Sequence, residues 1–168
     1  IVRNAKEGEK ITTLDDQERE LDPSMLVISD CNKAVAIAGV MGGQNSKVSP
    51  NAHAILFESA NFKGSSVRIT AKKLGMRTDA SGKYEKGLDP NLAYDAVNRA
   101  VQLVEMLGAG EVVKGMVDCY PNKRESWQLP YSPEKINKLL GTDIKEDEMI
   151  DIFERLEIKV DKDNRILT

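Results

Sequence analysis

The order of two hydrophobic patterns constrains this fold more than any other feature of the chain. Short apolar runs bounded by turn residues fill the first third, and apolar residues at helical spacing follow them. Short apolar or β-branched runs are typical of strands, whereas apolar residues at i, i+4 and i+7 predict helices. Strands followed by helices predict an α+β fold, with a mixed or antiparallel sheet and helices packed against it.

The strand signals differ in character along the first third. Residues 10–14 are rich in β-branched side chains and end at Asp15-Asp16, which predicts a hairpin turn. Residues 26–28 and 35–38 are continuous apolar runs typical of buried strands, with a polar turn at residues 30–33 between them. Residues 54–59 form another apolar run, which predicts a strand ending near Glu58.

Helical patterns dominate the middle of the chain. Residues 63–74 predict a helix that ends at Gly75. Residues 76–88 predict a strand followed by a turn. A longer helix is predicted from Asp89 and Pro90 to Gly108, with an apolar stripe that packs on the sheet, and residues 111–119 predict a further strand.

A polar and charged stretch at residues 121–125 predicts a domain boundary, which divides the chain into residues 1–122 and 123–168. In the second part, residues 132–141 and 145–156 predict two helices, and residues 158–160 and 165–167 predict two strands. A helix–helix–hairpin order is similar to part of a winged-helix unit.

Two residue counts exclude whole classes of chemistry. His53 is the only histidine and lies in a polar connector, so we expect an exposed loop residue rather than a zinc ligand or a catalytic base. Cys31 and Cys119 are far apart in sequence, which predicts two free, mostly buried thiols in a reducing cytoplasm. No apolar run is long enough to cross a membrane, and the net charge of −3 leaves nucleic-acid binding to a local patch.

Such a patch is present between residues 63 and 86, which hold seven Lys or Arg and two acids, a balance of +5. This segment has the charge that binds a phosphate backbone, and a solvated charged surface is the alternative. Residues 143–163 hold nine acids and four bases, a balance of −5, which argues against DNA binding by the second part.

The glycine-rich segment 39–43 has two interpretations. Three glycines in five residues permit a tight turn, and they also permit a close approach of the backbone to a ligand. Glu58 likewise is either a surface carboxylate or a fixed hydrogen-bond acceptor facing a cavity.

Three motifs together carry a family resemblance. They are residues 36–43 (Ala-Ile-Ala-Gly-Val-Met-Gly-Gly), residues 56–62 (Leu-Phe-Glu-Ser-Ala-Asn-Phe), and residues 77–81 (Arg-Thr-Asp-Ala-Ser) continuing to 84–90 (Tyr-Glu-Lys-Gly-Leu-Asp-Pro). In order and spacing they resemble the editing module of the bacterial-type phenylalanyl-tRNA synthetase beta subunit. Residues 131–168 resemble the beginning of the next, winged-helix-like domain of that family.

The resemblance implies a proofreading hydrolase that removes tyrosine wrongly esterified to tRNA(Phe). A synthetic pocket built for phenylalanine rejects an analogue with one added hydroxyl only about a hundredfold. A second site that hydrogen-bonds this hydroxyl prefers tyrosine, because phenylalanine would leave its polar partner unsatisfied.

The resemblance also implies the roles of individual residues. Glu58 would accept the tyrosyl hydroxyl, Thr78 and Ala80 would line the pocket, and Gly39 and Gly42 would let backbone donors approach the ester carbonyl. The sequence offers no clear general base, so a positioned water, helped by a tRNA hydroxyl, is the expected nucleophile. From charge alone, the predicted tRNA-binding residues are Arg68, Lys72, Lys73 and Arg77.

Other expectations concern the whole enzyme. The family works as a cytoplasmic heterotetramer of two alpha and two beta subunits and uses ATP and magnesium, but no cofactor or metal is expected within this segment. The chain departs from the family at Gly64, where a proline is usual, and at Gly82, where an aromatic residue or histidine is common. A histidine-bearing part of the pocket would precede Ile1, so we expect a segment truncated at both ends and inactive or weakly active by itself.

Two alternatives to an editing hydrolase remain at this point. One is a non-catalytic scaffold that binds tRNA or the alpha subunit. The other is a free-standing winged-helix nucleic-acid binder, which the acidic second part argues against.

Overall fold

The computed structural model describes all residues from Ile1 to Thr168. The chain divides into two compact units, Ile1–Met116 and Val117–Thr168, a few residues before the boundary expected from composition. Antiparallel sheets and helices occur in both units, which confirms the predicted α+β class. No helix has the length and apolar character needed to cross a lipid bilayer.

The first unit begins with six short strands and a single 3-10 turn and continues with helices. The strands are β1 (Val2–Asn4), β2 (Lys10–Thr12), β3 (Glu18–Glu20), β4 (Leu26–Ser29), β5 (Ala34–Ile37) and β6 (Met41–Gly42), and the 3-10 turn spans Gln44–Ser46. The helices are α1 (Gly64–Lys73), α2 (Asp79–Tyr84) and α3 (Leu92–Met106).

The central sheet is antiparallel with the strand order β1-β4-β5-β6. Ile37 pairs with Val27 on one side and with Met41 on the other, which places the glycine-rich segment at the sheet edge. Strands β2 and β3 form the predicted hairpin, closed by the turn at Asp15-Asp16. A bridge from Thr13 to Gly43 joins this hairpin to the sheet.

The core of the first unit lies between the sheet and helix α1. Val27, Ile37 and Leu21 are almost fully buried, and Val67 and Ala71 of α1 belong to the same hydrophobic cluster. Burying an aliphatic side chain of this size stabilises a fold by about 1.5–3 kcal/mol. The predicted apolar face of α1 is therefore confirmed.

Arg19 fixes the hairpin to the end of α1. Its Nη1 donates a hydrogen bond to the carbonyl oxygen of Leu74 at 3.1 Å, and its Nη2 pairs with Asp15 at 2.7 Å. The carbonyls of a last helical turn have no partner within the helix. Arg19 supplies one from a strand that is distant in sequence.

The second unit has two helices and a three-stranded antiparallel sheet. Its elements are β7 (Leu129–Pro130), α4 (Pro133–Leu140), α5 (Glu146–Arg155), β8 (Val160–Asp161) and β9 (Ile166–Leu167), with sheet order β7-β9-β8. Ser132 caps α4, and Gly141 ends it. The predicted helix–helix–hairpin order is confirmed, and β7 is an additional strand.

Three predicted strands are wrong. Residues 54–59 and 111–119 form no ladder with another strand, and residues 79–84 form helix α2 instead of a strand. Apolar composition favours a strand only where a partner supplies hydrogen bonds. Around residues 54–61, side chains bond to other carbonyls instead: Ser59 to Ala93, and Asn61 to Leu88.

Two predictions about burial are also wrong. Helix α3 begins at Leu92 after Asn91, not at the predicted Asp89 cap, and it has no buried residue, although an apolar stripe packed on the sheet was predicted. Cys31 and Cys119 are free thiols as predicted, but both are exposed. Cys31 lies in the turn that the Asp30 carboxylate closes by accepting the backbone N–H groups of Asn32 and Lys33, and Cys119 lies in a stretch without helix or strand after α3. His53 is exposed, as predicted.

Candidate functional site

The turn after β5 places Gly39 at the centre of a small cluster. Its φ of +69° lies in the left-handed region that favours glycine. A Cβ at this position would be 2.9 Å from Val67 Cγ2 and 3.1 Å from Phe62 Cδ2. Gly39 therefore allows a left-handed turn and a close approach of α1 and the segment before it.

Thr78 connects this turn to helix α2. Its Oγ1 donates to the carbonyl oxygen of Val40 at 2.8 Å and accepts the backbone N–H of Ser81 at 3.0 Å. The buried Ser81 hydroxyl in turn accepts the backbone N–H of Thr78 at 3.0 Å. This reciprocal pair is a capping box, which satisfies the free N–H groups at the beginning of α2 and fixes its position beside Val40.

Tyr84, at the other end of α2, connects the cluster to the segment that carries Glu58. Its ring lies 5.2 Å from the ring of Phe62, and its hydroxyl donates to the carbonyl oxygen of Ala60 at 3.1 Å. Burial raises the pKa of Tyr84, and the negative charge of Glu58 raises it further. The Glu58 carboxylate therefore lies within electrostatic reach of the Tyr84 hydroxyl.

Glu58 is exposed, but the pKa of its carboxyl group is raised. The residue is exposed and precedes Ser59 and Asn61, whose side chains hold the local backbone. Protein atoms around its carboxyl group nevertheless remove part of its hydration and raise its pKa. It has no ion pair and no hydrogen bond within the chain, so its acceptor oxygens are available to a ligand donor.

The other two predicted pocket residues are placed differently. Gly42 lies in β6 and packs against the hairpin, where a Cβ added to it would be 3.2 Å from Leu14 Cδ1. Ala80 is exposed in the first turn of α2. The structure thus brings Gly39 and Thr78 together through Val40 and places Glu58 near Tyr84, while Gly42 contacts the hairpin.

The basic residues predicted to bind tRNA divide into two groups. Arg68, Lys72 and Arg77 line one surface groove of about 360 Å³ beside helices α1 and α2. Lys73 instead pairs with Asp22 at 2.8 Å and with the Ser24 hydroxyl at 3.0 Å. Arg68 and Lys72 lie on the groove side of α1, Lys73 lies on the side that faces Asp22, and Arg77 follows the end of the helix.

Tyr84 and Ser81 are absent from the predicted pocket set, although both lie in the third motif. The Thr78-x-x-Ser81 spacing is a capping signal that predicts a helix beginning at Asp79. That signal would have replaced the predicted strand with α2 and placed Tyr84 in the last turn of that helix.

Comparison with known proteins identifies the family of this chain. Residues 1–109 match the model of the B3/4 domain family. The chain is 50% identical over 158 residues to the phenylalanine–tRNA ligase beta subunit of Clostridium acetobutylicum, which covers 94% of the chain and 20% of that protein. It is 46% identical over 161 residues to the beta subunit of Clostridium tetani, covering 96% of the chain and 20% of that relative.

A third relative, from Moorella thermoacetica, is 47% identical over 160 residues, covering 95% of the chain and again 20% of the relative. The chain thus spans about a fifth of the length of the curated relatives it matches. The resemblance to phenylalanyl-tRNA synthetase beta subunits that the three motifs predict is confirmed over nearly the whole chain, and the chain belongs to the B3/4 domain family.

Proposed function

We propose that this chain is a segment of a phenylalanyl-tRNA synthetase beta subunit and carries most of its editing module, which hydrolyses tyrosine misattached to tRNA(Phe). The observation that carries the proposal is the Glu58 carboxylate, which has no ion pair or hydrogen bond within the chain and lies in a family motif whose Ala60 and Phe62 contact Tyr84 of another motif. The identity to proteins named as beta subunits supports the assignment to the synthetase.

Glu58 suits the recognition of a phenol. A carboxylate accepts hydrogen bonds and has no donor when ionised, so it pairs with a tyrosyl hydroxyl and gains nothing from a phenylalanyl ring. Partial desolvation strengthens such a bond, because fewer water molecules compete for the oxygens. Glu58 therefore selects the substrate, and the hydrolytic water is activated elsewhere.

The cluster around Gly39 supports the segment that carries Glu58. Phe62, Tyr84 and Val67 enclose the Gly39 turn, Thr78 fixes α2 against Val40, and the Tyr84 hydroxyl donates to the carbonyl oxygen of Ala60, two residues after Glu58. Residues held by packing and capping keep a site in one geometry. From the family resemblance we assign Thr78, Ala80, Gly39 and Gly42 to the wall of the editing pocket, of which Gly39 and Thr78 are joined through Val40 and Gly42 contacts the hairpin.

The proposal extends to the partners and cofactors of the whole enzyme. We propose tRNA(Phe) and an alpha subunit as partners, in a heterotetramer of two alpha and two beta subunits in the cytoplasm. ATP and magnesium would serve aminoacylation elsewhere in that enzyme. The chain has no group of three or more His, Cys, Asp or Glu side chains with the geometry of a metal site, so we assign none to these residues.

A deacylation assay tests the proposal. Intact beta subunit with its alpha partner is given Tyr-tRNA(Phe) and Phe-tRNA(Phe), and hydrolysis of each ester is followed. We expect preferential hydrolysis of the tyrosyl ester, and a loss of this preference in Glu58→Ala. Glu105→Gln is the matched control, because Glu105 is an exposed carboxylate on α3 with no side-chain partner. Unchanged discrimination in Glu58→Ala would refute the role of Glu58.

A non-catalytic scaffold is the second candidate function, and a specific observation favours it. Three consecutive apolar residues before Glu58 are exposed: Ile55 (59%), Leu56 (96%) and Phe57 (44%). Neighbouring exposed apolar side chains mark surfaces that other protein segments cover. A scaffold that binds tRNA or the alpha subunit predicts no tyrosine bound near Glu58 when crystals of the intact subunit are soaked with free tyrosine.

A further inference from the structure

The segment at residues 53–62, which carries Glu58, makes no hydrogen bond between its backbone and another part of the backbone. An extended segment is normally fixed by the ladder that it forms with a neighbouring strand. Because this segment has no ladder, its position depends on the side chains within it and on those that reach it from elsewhere.

Three side-chain hydrogen bonds join this segment to residues 84–93. Each runs from a side-chain donor to a backbone carbonyl oxygen. They are Ser59 to Ala93 at 2.7 Å, Asn61 to Leu88 at 2.8 Å, and Tyr84 to Ala60 at 3.1 Å. The three bonds hold three consecutive residues, and these residues follow Glu58 directly in the chain.

Tyr84 holds the segment with its ring as well as with its hydroxyl. The buried ring of Phe62 lies 5.2 Å from the Tyr84 ring and belongs to the hydrophobic core. Packing on the ring and a hydrogen bond at its hydroxyl together fix the orientation of a tyrosine. A Cβ added to Gly39 would be 3.4 Å from Tyr84 Cδ2, so the same ring also lies against the Gly39 turn.

The Glu58 side chain has no such support of its own, because it makes no hydrogen bond and no ion pair within the chain. The place of its carboxylate is therefore set by the backbone that follows it. A hydrogen bond between a hydroxyl and an oxygen requires a separation of about 2.5–3.0 Å. A displacement of this backbone by about 1 Å is enough to lose such a bond.

We propose that Ser59, Asn61 and Tyr84 are positioning residues that set the specificity of the editing site. They hold the backbone that carries Glu58, so that its carboxylate lies where it accepts the tyrosyl hydroxyl. The inference rests on the proposed function, because that hydroxyl belongs to the substrate proposed there. The three residues act through Glu58 and take no part in hydrolysis, so their loss affects the tyrosyl ester far more than the phenylalanyl ester.

Deacylation of Tyr-tRNA(Phe) and Phe-tRNA(Phe) by the intact beta subunit with its alpha partner tests the three residues. Ser59→Ala, Asn61→Ala and Tyr84→Phe each remove one donor. We expect each variant to lower the ratio of kcat/KM for the tyrosyl ester to that for the phenylalanyl ester roughly two- to tenfold, the range that one net hydrogen bond gives. Ser59→Thr keeps the hydroxyl and should retain the ratio.

Tyr94→Phe is the matched control for Tyr84→Phe, because Tyr94 is an exposed tyrosine on α3. Its ratio should equal that of the unchanged enzyme. A merely structural role would lower the hydrolysis of both esters in proportion, and the unchanged ratio would overturn the proposal. An additive loss in the double variant of Glu58→Ala and Tyr84→Phe would also overturn it, because an effect that acts through Glu58 must disappear with its carboxylate.

A carbon-13 NMR titration of the Glu58 carboxyl group in the full chain separates this inference from the proposed function. Burial raises the pKa of Glu58 above its ordinary value of 4.5, and release of the segment in Tyr84→Phe should return the pKa towards that value. This return, with no preference for the tyrosyl ester in the unchanged enzyme, would support the positioning and refute editing. A preference that only Glu58→Ala abolishes, with the ratio and the Glu58 pKa unchanged in all three variants, would support editing and refute the positioning.

Discussion

Gly39 is the residue on which the geometry of the candidate site depends most directly. Its left-handed φ and the 2.9 Å approach of Val67 to the Cβ position are two separate reasons for glycine. We expect Gly39→Ala to lower the free energy of unfolding by about 2–4 kcal/mol, from backbone strain and overpacking together. Urea denaturation followed by circular dichroism measures the change.

Gly75→Ala is the control that separates the two causes. Gly75 also has a left-handed φ, +63°, but a Cβ there would meet no atom within 4 Å. It should therefore lose only the backbone part, about 1–2 kcal/mol. Equal losses in the two variants would contradict the steric role assigned to Gly39.

Residue types were easier to predict from the sequence than residue roles. The glycine-rich segment predicts either a turn or a ligand wall, and the structure shows that Gly39 makes a turn packed by Phe62 and Val67. Arg68, Lys72 and Lys73 are close together in the sequence. In the helix, Lys73 pairs with Asp22, whereas Arg68 and Lys72 line the groove. Partners that are distant in sequence decide such roles, and local composition does not contain them.

Among the elements, α2 depends most on its cap, because six residues make few hydrogen bonds of their own. Thr78→Val removes the acceptor for the Ser81 N–H and the donor to Val40. We expect a loss of about 1–3 kcal/mol in the free energy of unfolding. Thr78→Ser keeps the hydroxyl and should lose much less, as measured by urea denaturation. A larger loss in Thr78→Ser than in Thr78→Val would show that the methyl group, and not the cap, holds α2.

The connection between β1 and the loop before β2 predicts a dependence of stability on pH. Both carboxylate oxygens of Glu9 accept hydrogen bonds from Arg3, and one of them also accepts the backbone N–H of Lys6. The hydrogen bonds from Arg3 are the main reason that the pKa of Glu9 falls from 4.5 to about 2. A lowered folded-state pKa gives stability that is complete above pH 4.5 and is lost as the pH falls towards 2.

Glu9→Gln cannot ionise and should lack this contribution. We expect it to lose on the order of 2 kcal/mol at pH 7, with a difference from the unchanged chain that shrinks as the pH falls from 4.5 to 2. Urea denaturation at a series of pH values measures both. Glu18→Gln is the control, because the Lys10–Glu18 pair is exposed. A pH-independent difference for Glu9→Gln would contradict the ion-pair explanation.

Helices were predicted better than strands for a physical reason. The apolar spacing of α1, α3, α4 and α5 is contained in each segment, and all four were predicted. Strands need partners: residues 54–59 and 111–119 have the composition of strands but form no ladder in the structure. Helix α2 was missed because six residues are too few to show a period, although its Thr78-x-x-Ser81 cap was visible.

At the scale of the whole molecule, charge follows the division into two units. The basic segment at residues 63–86 lies in the first unit, and the acidic segment at residues 143–163 lies in the second. An RNA therefore meets favourable potential on the first unit and repulsion on the second. The structure divides the chain after Met116, and composition predicts a boundary after residue 122.

Limited proteolysis tests this division. Lys114, Lys123 and Arg124 lie in an exposed stretch with no helix or strand between Met106 and Leu129. Proteases prefer such stretches, because the backbone must leave its local structure to enter their active sites. We expect trypsin at low concentration to cut first at these residues and to leave two resistant products, identified by mass spectrometry.

The basic segment makes this test discriminating. Seven Lys or Arg lie between residues 63 and 86, so trypsin has more targets there than in the linker. The packing of α1 against the core should protect them, although most of the side chains are exposed. Replacing Lys114, Lys123 and Arg124 with Gln should slow the first cut without changing the later ones. A first cut within α1 or α2 would show that this helical pair opens more readily than the linker, and the groove lined by Arg68, Lys72 and Arg77 would then lack a fixed geometry.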